Sequence, residues 1–393
     1  MKHTKNIIAA AMASLASLNA WAIDSPANAA DTIFYGGTVV TVNEKQPETT
    51  ALAIKDGYII AVGDQAGILQ NYVNANTQLV DLKGRTLMPG FVEPHVHISV
   101  TALTEHVALN LSNFNLPYDT IDSILGKVRA YKETLPAGAW ILGFGVDPSR
   151  TTPLMAELNA DLLDKVSTTN PIFIINQSGH IAYVNHKAME LAGVDDSTPN
   201  PGNGGVYVRD AQGKLTGVLI EPPAYNAFAK KMTLPSQQEV VEAYMKTVKS
   251  MAATGITTSS EMGMGAAMPV EAEYAMVKEL SHQPGFPIRI RAYLWGTSLE
   301  DGFNSIKPNE GDDEFRVIGV KYISDGSTQG LTAALNKPYS YPKGTKNRGA
   351  LDWEDVKLYN AAKQYFDQGW QISVHANGDR AIEQTLSLYT KLL

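Results

Sequence analysis

The chain has no cysteine among its 393 residues, which excludes disulfides, thiolate metal sites, cysteine nucleophiles and a lipid-modified cysteine anchor. Any metal must therefore be held by nitrogen and oxygen. Positive charge is also in short supply. The formal net charge is −8, and −10 once Lys2 and Lys5 leave with the leader described below, which argues against a nucleic-acid or acidic-membrane partner. No apolar run beyond the N-terminus approaches the roughly 20 residues needed to span a bilayer. A Walker A sequence is missing, and Gly143-Phe144-Gly145 lacks the third glycine of a dinucleotide fingerprint. Gly326-Ser327-Thr328-Gln329-Gly330 has the spacing of a nucleophile elbow but sets threonine at the nucleophile position. What remains is the balance of a globular protein with a sizeable core, 44% hydrophobic and 18% charged.

Lys2, His3 and Lys5 precede an apolar run from Ile7 to Leu18 and then Ala20-Trp21-Ala22, the small-x-small form of a secretory cleavage site. Residues 1–22 are therefore expected to be a signal peptide. Cleavage before Ile23 would give a periplasmic or secreted protein with no membrane attachment.

Residues 23–88 are expected to form a small N-terminal β unit, part of a β-sandwich. Thr32 to Thr41 and Ala51 to Val62 read as strands, the second broken by Asp56-Gly57, a dipeptide suited to a type I′ hairpin. The apolar run Thr86 to Val100 then reads as a buried strand carrying His95 and His97. Further strand patterns fall at Gly255 to Ser260, Ile288 to Trp295, Arg316 to Ile323 and Gln371 to Ala376, with a helix from Trp353 to Gly369 before the last. Strands alternating with helices imply a parallel sheet, so the fold class is α/β of the TIM-barrel type, with about five of eight strands over residues 89–393. Residues 110–250 are too many for a plain crossover and are expected to be an inserted α/β subdomain over the mouth of the sheet, with strands at Trp140 to Val146, Pro171 to Gln177 and Val206 to Val208.

On a strand, side chains i and i+2 share a face, so His95 and His97 can present two imidazoles to one ion; taken alone, the pair could equally be two satisfied polar groups. Lys321 sits in Val317-Ile318-Gly319-Val320-Lys321-Tyr322-Ile323, apolar enough to be buried. Burial disfavours its charge, and the neutral amine could take up carbon dioxide as a metal-bridging carbamate. The alternatives are pairing with Asp325 or snorkelling to the rim. His375 closes a strand pattern, where barrel enzymes gather catalytic groups, or else serves as a cap. Glu221, Glu261 and Asp379 end apolar segments and read as caps or surface charges.

In this order, the motifs resemble the amidohydrolase superfamily, in its YtcJ-like and N-substituted formamide deformylase-like group. The matching residues are Pro89-Gly90-Phe91-Val92-Glu93-Pro94-His95-Val96-His97, Ser178-Gly179-His180-Ile181-Ala182-Tyr183-Val184-Asn185, Gly255-Ile256-Thr257-Thr258, Val320-Lys321-Tyr322-Ile323-Ser324-Asp325-Gly326-Ser327 and His375-Ala376-Asn377-Gly378-Asp379-Arg380-Ala381. The resemblance implies a metal-dependent hydrolase of an amide or other non-peptide C–N bond, with metal-activated hydroxide attacking a small-molecule substrate. His95 and His97 would bind one metal, Lys321 would bridge as a carbamate and His375 would bind a second, both metals being zinc by expectation. His180 and Asn185 would shape the substrate pocket. A further metal-binding histidine and the general-base aspartate are expected beyond Leu393, so the chain is expected to be C-terminally incomplete and no catalytic base is assigned. Smaller departures are Glu93-Pro94 before the histidines and Glu261 where an aspartate is commoner. A catalytically silent fragment and a one-metal deaminase of the same superfamily are the competing expectations, and self-association as a homo-oligomer is left open.

Overall fold

The computed structural model describes residues 29–112, 120–202, 204–233, 235–296 and 305–393. The expected signal peptide lies outside these residues. The chain divides between Gly90 and Phe91 into two compact units. No helix among the described residues is long and apolar enough to cross a membrane.

In the first unit, β1 (Thr32–Val40), β2 (Glu48–Lys55), β3 (Tyr58–Gly63), β4 (Gln78–Asp81) and β5 (Thr86–Leu87) form one sheet in the order β3-β2-β1-β4, with β5 also beside β1. The β2–β3 turn has Asp56 at φ 51° and Gly57 at φ 78°. Both central residues of a type I′ turn need positive φ, and this is why Asp-Gly marked the hairpin in the sequence. Ile33, Ala51 and Ala53 bury one face of the sheet against Ile68 of the helix Gln65–Tyr72.

The second unit opens with β6 (Phe91–Val96). The run Thr86 to Val100, expected as one buried strand, is divided instead. Met88-Pro89-Gly90 separates β5 from β6, and the chain turns into the helix Ile98–His106 with His97 at its N-cap. Nor is β6 buried: it pairs with β13 alone, and Phe91 and Val92 are 52% and 64% exposed. Edge placement also accommodates Pro94, which has no N–H to give a second neighbour.

The chain then leaves this sheet for β7 (Leu109–Asn110), β8 (Ile141–Val146), β9 (Ile172–Asn176), β10 (Ile181–Val184), β11 (Val206–Arg209) and β12 (Leu215–Ile220), a six-stranded sheet in the order β11-β12-β10-β9-β8-β7. Strands β7, β10 and β12 were not apparent in the sequence. β10 is four residues long and buried at every one, so it has no polar–apolar alternation to betray it.

Returning, β13 (Ile256–Met264), β14 (Arg289–Trp295), β15 (Phe315–Ile323) and β16 (Gln371–His375) complete a parallel sheet in the order β16-β15-β14-β13-β6. Ile290, Ala292, Leu294, Val317 and Val320 form its core with residues such as Val248, Val277, Leu358 and Leu388 from the intervening and following helices. Helices covering a parallel sheet explain why these strands read as continuous apolar runs. The arrangement is that of five (β/α)-barrel-type strands.

Asn185, expected in the substrate pocket, is turned inward. It is fully buried; its Oδ1 accepts from Ala188 N (3.0 Å), capping the helix His186–Ala192, and from Ile172 N (2.9 Å). Its Nδ2 donates to Ser167 O (2.8 Å) and Asn170 O (3.0 Å). With all this capacity used inside the six-stranded unit, nothing is left for a substrate. Asn185→Ala is expected to lower the unfolding free energy by about 3 kcal/mol, since it removes a cap and strands buried backbone groups together. Urea denaturation would check this, and a loss below about 0.5 kcal/mol, the range of a neutral surface change, would contradict it.

Candidate active-site cleft

The parallel strands end together, and their last residues carry most of the side chains singled out above. His95 is the penultimate residue of β6, and His97 follows its end. Lys321 lies opposite Trp295, the last residue of β14, and His375 closes β16 opposite Ile323. Although His97 has left the strand (φ −110°, ψ 80°), its ring stays beside that of His95, with centroids 5.5 Å apart. Lys321 Nζ lies 3.5 Å from His95 Nε2. The three histidines line a cleft of about 2020 Å³ together with Phe144, Ile175 and His180 of the six-stranded unit, and the rings of His180 and His375 lie 5.6 Å apart.

Asp325 is not the partner of Lys321. Its buried carboxylate is taken up by backbone N–H groups of Asn377 (2.9 Å to Oδ1), Ala334 and Gly378 (each 2.8 Å to Oδ2). Snorkelling is excluded as well, because Lys321 is 2% exposed. Burial holds its amine down to about 8. Burial first, and then the charge of Lys321, depresses His97 to about 4 and lowers His95 below its ordinary value. Burial likewise lowers His375. At neutral pH these rings keep their lone pairs, the form in which imidazole binds zinc-type ions.

The nitrogen set fits a divalent cation in part. Among the described residues, His97 Nδ1 is buried with no hydrogen-bond partner, an orphaned atom of the kind that calls for explanation. Yet among the described residues no three His, Asp or Glu side chains could hold a metal by themselves. His375 Nε2 lies 3.1 Å from Gly326 O and 3.2 Å from Asn377 Nδ2, and its charge acts on His95 and His97.

Two carboxylates expected as caps or surface charges are buried instead. Glu261 is 1% exposed; its Oε1 accepts from Gly263 N (2.9 Å) and its Oε2 from Ser99 N (3.1 Å), and it lies 4.0 Å from His97 Nδ1. Burial, then the nearby Glu273, pushes its carboxyl up to about 8. Glu221 accepts from His180 Nδ1 at 2.7 Å. Its backbone is at φ 62°, ψ 148°, a region nearly confined to glycine that costs about 1–3 kcal/mol for other residues. For His180 burial opposes the charged ring, but Glu221 outweighs it, with Asp352 and Asp325 adding to the effect, and the pKa is raised. Asp352, which the sequence did not mark, also lines the cleft; burial, then Glu221, pushes it up to about 7. The cleft thus brings His95, His97 and His375 together with the hydrogen-bonded His180–Glu221 pair and the Asp352 carboxyl. Trp295, Trp353 and Tyr225 supply apolar surface between them.

The model of the Amidohydrolase family matches residues 78–392. A putative amidohydrolase, YtcJ, of Bacillus subtilis (strain 168) is 27% identical over 360 residues, covering 91% of this chain and 66% of that protein. The N-substituted formamide deformylase of Arthrobacter pascens is 24% identical, covering 91% of this chain and 65% of its own length. Among solved structures, an uncharacterized metal-dependent hydrolase from Pyrococcus horikoshii OT3 superposes with a TM-score of 0.64 at 22% identity, over 92% of this chain and 68% of that one. The chain therefore spans about two thirds of the length of these relatives.

The buried amine makes a pH-dependent prediction for the metal-free chain. The unfolded chain protonates Lys321 below about 10.5 and the folded chain only below about 8, so this group lowers stability at neutral pH and the penalty fades as pH rises through that interval. Lys321→Met is expected to be more stable by about 3 kcal/mol at pH 7, with the difference closing between pH 8 and 10.5. Denaturation midpoints of both proteins across this range measure it, and a constant difference would contradict it.

Proposed function

The chain belongs to the amidohydrolase family, and from that premise we propose that it is a metal-dependent hydrolase of a small-molecule amide or other non-peptide C–N bond. The observation that carries the reading is the meeting of His95, His97 and the buried Lys321 at the strand ends, with His95 and His97 lining a cleft large enough for such a substrate. The family group that includes a protein named N-substituted formamide deformylase supports an amide-type bond.

His95, His97 and Lys321 would hold the metal, with Lys321 best suited as a carbamate because its amine is buried and easily neutral. A divalent ion there, zinc by its preference for imidazole, supplies Lewis-acid polarisation of a carbonyl and acidifies water. The protein's own part is to bind and orient. Trp295, Trp353 and Tyr225 exclude water from the apolar portion of the substrate, and His180 faces the polar end. The engagement of His375 with Gly326 favours a variant of this reading with one metal ion, as in a one-metal deaminase, over the two-metal arrangement. The charged, apolar and small-residue order of residues 1–22 supports export to the periplasm or medium.

Hydrolysis of a panel of N-acyl and N-formyl amines, with zinc added and then removed by a chelator, tests the proposal together with metal analysis. Turnover is expected to vanish with the chelator and return with zinc. His97→Ala is expected to lower kcat/KM at least ~1000-fold, since a catalytic metal contributes several kcal/mol. Chelator-insensitive turnover, or none across the panel, would count against the assignment. About one ion per chain, or about two, separates the metal variants.

A further inference from the structure

His180 is restrained from several sides. Its own N–H donates to Ser178 Oγ (3.1 Å), its carbonyl accepts from Glu221 N (2.8 Å), and the preceding Gly179 O accepts from Tyr225 OH (3.0 Å). Its ring Nδ1 meets Glu221 Oε2 at 2.7 Å. One residue, Glu221, thus grips both the backbone and the ring of His180. It does so from the positive-φ conformation described above, with ψ 148° in the range that the following Pro222 favours. Gly326 leaves space for the carboxylate, because a Cβ there would stand 2.7 Å from Glu221 Oε1. A non-glycine residue persists in so unfavourable a conformation only where its surroundings over-determine it, and such residues cluster at functional sites.

We propose that Glu221 is a positioning residue for the reaction of this cleft: its carboxylate holds the proton on His180 Nδ1, fixes the ring, and leaves Nε2 as the atom that meets the substrate. The inference rests on the hydrolase reading for the reaction, but the anchoring of His180 can be read without it. The carboxylate plays the role of the third group that orients a catalytic-site imidazole in its working tautomer. A purely structural Glu221 would be retained for stability. Positioning instead explains why a residue at odds with its own backbone is present where glycine would fit without strain.

The test compares the chain with Glu221→Gly, which removes the carboxylate and relieves the positive φ, and with Glu221→Gln, which keeps the side-chain volume. Long-range 1H–15N spectra of histidine-labelled protein report the tautomer of His180, its signals identified by their loss in His180→Asn. In the parent, Nδ1 is expected to carry the proton. In Glu221→Gly that preference is lost, the thermal midpoint is no lower than the parent's, and kcat falls about 100-fold, the cost of misplacing a group by an ångström, with KM changed far less. Glu221→Gln moves kcat in the same direction. An unchanged His180 tautomer in Glu221→Gly overturns the proposal, as does an unchanged kcat, and so does a lowered midpoint with kcat retained. If the parent itself hydrolyses nothing, the hydrolase reading fails and the tautomer alone decides the anchoring.

Discussion

A lysine amine sealed from water beside an imidazole, with no carboxylate to pair with it among the described residues, is the constraint on which the cleft depends. Lys321 is 2% exposed, its Nζ lies 3.5 Å from His95 Nε2, and Asp325 is occupied by backbone N–H groups instead. An isolated ammonium in such a place is costly, so the amine is lowered to about 8, and burial with its charge lowers the neighbouring His95 and His97. Imidazole rings that keep their lone pairs are good neighbours for a cation.

A second group in the cleft has the complementary problem. Glu221 and Asp352 are carboxyl groups brought close together in a buried place, and His180 is the base that relieves them. His180 and Glu221 come from the six-stranded unit, whereas Asp352 lies beyond β15 with its N–H donating to Ser324 O (2.9 Å), so both sheets contribute to this group. Two groups of titratable side chains whose surroundings push their pKa values apart are what acid–base chemistry at neutral pH requires. This grouping also accounts for the inserted sheet, whose strands β10 and β12 carry His180 and Glu221 to adjacent positions at their ends.

Much of the frame was legible from local pattern. The apolar, β-branched runs that became β13 to β16 and the helix between the last two stand within a few residues of their expected places, and Asp56-Gly57 formed its hairpin. Where local pattern was ambiguous, the reading went astray. The run through His97 continues to look like a strand because nothing local shows that β6 is an edge or that His97 begins a helix. Asn185 lies in a motif shared with His180, yet adjacency in sequence does not set direction, and its amide was consumed by four internal hydrogen bonds.

By itself, then, the sequence determined the exclusion of thiolate chemistry and the run of strands and helices from β13 to β16, which follow from composition and short-span pattern, while His95, His97, Lys321 and His375 were drawn together only by the resemblance of their motifs. Tertiary structure alone decided which of them meet. Lys321 reaches His95 across 226 positions and Glu221 reaches His180 across 41, while His375 is drawn to Gly326. Those partnerships depend on strand register and on which groups lose water together. Both are properties of the packed chain, and neither leaves a mark on the residues one at a time.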